Sequence, residues 1–234
     1  MFARHSVAGG GRAVIGVDPL SGFGELPRAR QSVGEILRAV TGELTSSVDL
    51  YWLPLGAGGH SVRLNGRLFE AVVALRQGRK RCDLYHSALV VRLPEGRFVI
   101  EQGPAGRRDG ERGVVAEGAV GARWAGRLRL FRYEVRCWRD GVIPDVAEAV
   151  DSPQRMSDDE LLARRLVELV PTVPRAVWGR DELRTGEMWN SNSVISWLLE
   201  SIGLPTRSIA PPEHGRAPGW DAGLVIARRT NVPA

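Results

Sequence analysis

The 234-residue chain has two cysteines, four histidines and a single lysine, Lys80, among 32 basic residues. Cys82 and Cys137 make neither a disulfide framework nor a zinc spacing. With His5, His60, His86 and His214 scattered and no H-E-x-x-H or C-x-x-C, no metal site and no cofactor are expected. No apolar run approaches the roughly 18–20 residues a membrane span needs, so no span is expected. Met1 to Val17 carries basic residues but no apolar signal core, because glycines and Arg12 interrupt it. The expected location is therefore cytoplasmic. Gly9-Gly10-Gly11 lacks the Gly-Lys-Ser/Thr that would make it a phosphate loop.

The net charge of +5 and pI near 10 raise a nucleic-acid reading. Arginines are spread among glutamates, and the dense clusters are only Arg76, Arg79, Lys80, Arg81 and the lesser Arg107–Arg108 pair. Such charge runs are usually solvated faces, so a nucleic-acid partner is not expected.

Hydrophobic spacing orders the rest. Val33, Ile36, Leu37 and Val40 fall at helical spacing and stop at Gly42. Val48 to Leu55 reads as a strand, and Asn65-Gly66 is a hairpin turn signal. Asp83 to Arg92 and Arg97 to Gln102 form a second hairpin around Leu93-Pro94-Glu95-Gly96. Arg127 to Trp138 alternates as a half-buried strand, with Phe131, Tyr133, Val135 and Cys137 on one side.

Ser157-Asp158-Asp159-Glu160 reads as a capping box ahead of a helix whose core face is Leu161, Leu162, Leu166, Leu169 and Val170. A second helix runs from about Asn192 to Ile202 and stops at Gly203 and Pro205. Leu224-Val225-Ile226-Ala227 reads as a last strand. Strands that come as hairpins rather than βαβ units imply an α+β domain, an antiparallel sheet packed on helices. Residues 1–47 form an N-terminal extension with one amphipathic helix, and 48–234 the main domain.

Two segments carry candidate chemistry. Met188-Trp189-Asn190-Ser191-Asn192-Ser193 runs short polar side chains into an apolar helical face. Such a start is either an ordinary capped terminus or a seat for a nucleophile, since free N–H groups and the helix dipole favour negative charge there. His86 sits in an apolar strand and needs a partner for its ring nitrogens. Across the hairpin, either Glu101 or Gln102 is the candidate, as a structural pair or as the group that orients a general base. Trp189 and Trp197 are core anchors or walls for an apolar or acyl ligand. Cys82 lies about 13 Å along the strand from His86, too far for proton transfer. Cys137 reads as inert packing. Gly56-Ala57-Gly58-Gly59-His60 is a surface loop or a cleft rim.

Tyr85-His86-Ser87-Ala88-Leu89-Val90, then Phe98-Val99-Ile100-Glu101, then Trp189-Asn190-Ser191-Asn192-Ser193 entering a helix, resembles the circularly permuted papain-like superfamily. That group includes permuted NlpC/P60-type proteins, the lecithin–retinol acyltransferase group and the PPPDE peptidases. The resemblance spans roughly Val48 to Ile202 and implies a permuted papain-like (NlpC/P60-type) architecture. It implies His86 as general base, Glu101 or Gln102 as its orienting residue, and Ser191 where the family has its nucleophilic cysteine. Asn190, Asn192, Trp189 and Gln102 would then contact substrate.

A serine cannot ionise beforehand as a thiol does; it needs a base at the moment of attack and a built oxyanion site, for which the backbone N–H groups at the helix start and the Asn190 or Asn192 amide are the candidates. The implied activity is a hydrolase or acyltransferase acting on an amide, thioester or ester, with Ser191 forming an acyl-enzyme. The alternative is a catalytically inactive papain-like binding protein for a peptide or lipid ligand, a pseudoenzyme that has lost the thiol.

Overall fold

In the computed structural model the described residues are 46–55, 75, 78, 80–105 and 113–231. The chain divides into two units at Val40/Thr41, and all described residues belong to the second. The expected helix at Val33–Val40, the Asn65-Gly66 hairpin and the Gly56–His60 loop lie outside the described residues.

Among the described residues the protein is α+β. Seven strands form the sheet: β1 (Ser47–Pro54), β2 (Asp83–Leu93), β3 (Gly96–Pro104), β4 (Val114–Ala119), β5 (Arg132–Arg139), β6 (Val150–Ser157) and β7 (Gly215–Arg216). Three helices accompany them: α1 (Glu160–Leu169), α2 (Ser191–Ser201) and α3 (Trp220–Asn231). The strand order is β4-β5-β3-β2-β1-β6, antiparallel throughout, with the short β7 joining β2 in parallel.

Strand alternation sorts the sheet into two buried faces. Val48, Leu50 and Trp52 of β1, Tyr85, Leu89 and Val91 of β2, and Ile100 of β3 point to one face and pack under the helices. Leu53, Ala88, Val90 and Val99 point to the other, where Ile143 from the segment after β5 covers them. Strands buried on both faces read as continuous apolar runs, as β2 does.

The central helix α2 is buried from Ser191 through Leu199, because the sheet lies on one side of it and α3 on the other. Close approach of α3 needs a residue without a side chain. A Cβ added at Gly223 would stand 2.1 Å from the Ser193 carbonyl oxygen and from Ser196 Oγ. The helix ends where expected. Gly203, at φ +88°, donates to Glu200 O at 3.0 Å, and Leu204 N donates to Leu199 O at 3.1 Å, a Schellman closure.

Several expectations need correction. Leu224–Ala227 is part of α3, not a strand: Trp220, Leu224 and Ala227 meet the core at helical spacing. The strand expected from Arg127 begins only at Arg132, since Arg123–Arg127 and Arg129–Phe131 coil into 3-10 turns. The cap of α1 is Asp159, whose carboxylate accepts from Leu161 N at 2.7 Å and Leu162 N at 3.3 Å. Ser157 instead accepts from Asp159 N, outside the helix. Leu161, expected in the core, is exposed.

Candidate functional site

The start of α2 is built from short polar side chains, and nearly all of them are engaged. Asn190 caps the helix in extended conformation, its Oδ1 accepting from Asn192 N at 2.9 Å and Ser193 N at 3.3 Å. Ser193 Oγ returns the favour by accepting from Asn190 N at 3.0 Å, a capping box with serine at the third position. The Ser193 hydroxyl lies 2.7 Å from Gly219 O, and that of Ser196 donates to Trp220 O at 2.6 Å. Asn190 Nδ2 donates to Pro218 O at 2.8 Å. These bonds tie the entry of α3 to the entry of α2. Glu187 helps, accepting from Gly219 N at 2.8 Å; burial, with Asp221 nearby, raises the pKa of its carboxyl.

Asn192 joins the helix to the sheet. Its Nδ2 donates to Tyr85 O at 3.0 Å and Pro218 O at 2.9 Å, and its Oδ1 accepts from Ser87 Oγ at 2.9 Å. The place it fills is a fork between strands. The β2–β3 ladder ends at Leu89↔Ile100, while β7 takes up β2 again at Asp83 and Leu84. Leu84 O already accepts from Leu55 N on the β1 side, so β7 lies on the edge β3 has left. Ser87 of β2 and Gln102 of β3 face the helices across this fork. Gln102 is buried, and neither Oε1 nor Nε2 has a hydrogen-bond partner among the described residues. Ser191, which precedes Asn192 at the start of α2, is 6% exposed, and its hydroxyl has no partner among the described residues.

The structure does not bring His86 and Glu101 to Ser191. His86 is paired in register with Leu53, and its alternation partners Ala88 and Val90 lie on the sheet face away from α2. Glu101 shares that second face with Val99, but its carboxylate is held by Arg136 Nη1 at 2.8 Å. Arg136 also binds Glu134 at 3.0 Å and Pro104 O at 2.9 Å. Gln102, the other candidate, lies on the opposite face from His86, because adjacent residues of a strand point to opposite sides.

Two side-chain amides and two backbone N–H groups at the start of α2 are likewise taken. The Asn190 and Asn192 amides bind backbone carbonyls, and the N–H groups of Asn192 and Ser193 bind the cap. Trp189 is 1% exposed and sits in the core with Trp197, so both anchor packing. Burial pushes the Cys137 thiol up to about 11, as suits a packed cysteine. No cluster of three or more His, Cys, Asp or Glu side chains suited to a metal occurs among the described residues.

Burial pushes the His86 imidazole down to about 4, against a weaker upward pull from Asp145. The unfolded chain protonates near 6.5, so between about 6.5 and 4 it binds a proton that the folded state refuses. Stability from this residue is whole above the unfolded value and falls as pH drops through that window, by on the order of 3 kcal/mol. His86→Gln should flatten the decline in urea midpoint between those pH values. An unchanged slope would show that the ring is already protonated or solvated.

No family model, curated protein or solved structure matches the chain.

Proposed function

We propose that the chain is a catalytically silent relative of the permuted papain-like group, a binding domain for an extended peptide. The chain order supports the reading of kinship: a strand bearing Tyr85-His86-Ser87, then its hairpin partner, then a helix opened by Asn190-Ser191-Asn192 and packed on the same sheet. The single observation that carries the non-catalytic reading is the engagement of the polar groups. Glu101 serves Arg136, His86 faces away from α2, and the amides that would receive an oxyanion hold carbonyls. Gln102 supports the peptide as ligand. A buried amide with both its donor and its acceptor vacant is matched by a main-chain amide, which offers one of each.

The test is chemical. A fluorophosphonate probe should leave the protein unlabelled. In Ser191→Cys the new thiol should titrate at or above the free value of about 8.5, having no imidazolium beside it. Gln102→Leu should lower affinity for peptides selected from an extended-peptide library about tenfold or more, by removing both bonds. Labelling that disappears in Ser191→Ala and in His86→Ala would overturn this reading in favour of the Ser191–His86–Glu101 hydrolase or acyltransferase.

A further inference from the structure

Between β4 and β5 the chain Arg123-Trp-Ala-Gly-Arg-Leu-Arg-Leu-Phe-Arg132 makes two short 3-10 turns on the surface. Four large apolar side chains stand out of it: Trp124 is 74% exposed, Leu128 59%, Leu130 85% and Phe131 41%. A single exposed leucine needs no explanation, but four such groups within eight residues form a patch of the kind that marks an interaction surface. Arginines alternate with them at Arg123, Arg127, Arg129 and Arg132.

Beside the patch is an open cleft of about 510 Å³, lined by Glu117, Arg123, Arg127, Arg132 and Arg175 among others. Arg123 pairs with Glu182, and Arg132 lies 3.6 Å from Glu117. Arg129 lies 3.9 Å from Glu134. Arg127 and Arg175 have no acidic partner among the described residues. Among the described residues, five guanidinium groups thus stand against three carboxylates, and Arg123 and Arg127 of the cleft flank the exposed Trp124 in the chain.

We propose that this surface docks on an anionic phospholipid bilayer. Trp124, Leu128, Leu130 and Phe131 enter the boundary between headgroups and acyl chains, while Arg127 and Arg175 take lipid phosphate in the cleft. Trp and Phe beside Arg is the composition that suits that boundary, where aromatic and aliphatic ends are buried and guanidinium groups remain among phosphates. A single-stranded nucleic acid would use planar rings for stacking, and the most exposed tip, Leu130, offers none. A second copy of the chain would bring the same excess of arginine against this one. No helix among the described residues is long and apolar enough to cross a membrane, so the contact is peripheral.

The experiment is co-sedimentation of the full chain with vesicles. Binding is expected to phosphatidylcholine vesicles carrying phosphatidylglycerol, weakening as salt is added, and not to phosphatidylcholine alone. Each arginine facing an anionic surface contributes about fivefold in affinity, so Arg127→Gln with Arg175→Gln should weaken binding about 25-fold. Trp124→Ala with Leu130→Ser should also lower it at least tenfold, by removing inserted apolar area. All four positions are exposed, and an unchanged circular dichroism spectrum will show that the variants fold. Absent binding, equal binding to neutral vesicles, or vesicle binding indifferent to Trp124 and Leu130 would each overturn the proposal. So would a dimer in which the patch is buried, or oligonucleotide binding that exceeds vesicle binding at equal salt.

Discussion

Arg136→Met is expected to destabilise the protein by about 3–5 kcal/mol, the usual cost of removing one partner from a buried ion pair. Arg136 is 8% exposed, and the two carboxylates it holds, Glu101 and Glu134, are 7% and 4% exposed. Its guanidinium also covers Pro104 O. Without it, two desolvated carboxylates would face each other across β3 and β5, and among the described residues the other cation within 4 Å of either is Arg129, 3.9 Å from Glu134. Arg164 offers the contrast. It binds Glu95 and Glu160 on the exposed side of the molecule, where loss of a cation leaves no charge stranded from water.

The loss should appear as a lowered urea midpoint at constant slope. Adding Glu101→Gln and Glu134→Gln to the Arg136→Met chain should recover most of it, because neutral replacement of a whole buried network often costs little. A loss below about 1 kcal/mol would mean that the network is solvated. Glu101 would then be free to turn elsewhere, and the argument that it is engaged would fail with it.

The parts of the fold that were legible in the sequence are those set by local pattern. Val48 to Leu55, the hairpin about Pro94-Glu95 and the helix stopped by Gly203 needed only alternation, turn residues and a C-cap. β6 was not legible. It holds Pro153 and alternates half-buried with exposed residues, and its existence depends on pairing with β1 about a hundred residues earlier. The short run Leu224–Ala227 fits a strand or a helix equally well by periodicity, and the deciding contact, Gly223 against α2, is tertiary.

The site failed to be read for a similar reason. β2 has apolar residues at both parities, so nothing local says whether the His86 face or the Ser87 face meets α2. The partner of Glu101 is fixed by the β3–β5 register, which brings Arg136 opposite it from 35 residues along the chain. Asn190 and Ser193 gave a clear sign of helix capping, and capping is what they do. The arginine clusters visible in the sequence lie elsewhere. The cleft gathers Arg127, Arg132 and Arg175 only once β4 and β5 are paired.

Asn192→Asp, nearly isosteric, is expected to cost about 3–5 kcal/mol at neutral pH, as for a buried charge left without a partner. The amide is 2% exposed and donates to Tyr85 O and Pro218 O. A carboxylate would set a negative oxygen against both carbonyls and lose both bonds. Position 192 lies in the first turn of α2, where the dipole favours an acid by only about 0.3–1 kcal/mol, so desolvation and repulsion prevail. Protonation would relieve the charge, so the aspartate pKa should rise and the variant should regain part of its loss as pH falls toward the carboxyl range.

Asn192→Ala makes a second probe without charge. It leaves Tyr85 O and the Ser87 hydroxyl unbonded, while Pro218 O keeps the Asn190 amide. Roughly 2–3 kcal/mol is expected from two buried polar groups deprived of their partner. Denaturant unfolding of both variants checks the pair. Should both cost less than about 1 kcal/mol, the amide would not be serving the fold. It would then be free for a ligand or an oxyanion beside Ser191, and the catalytic reading would gain what the present one loses.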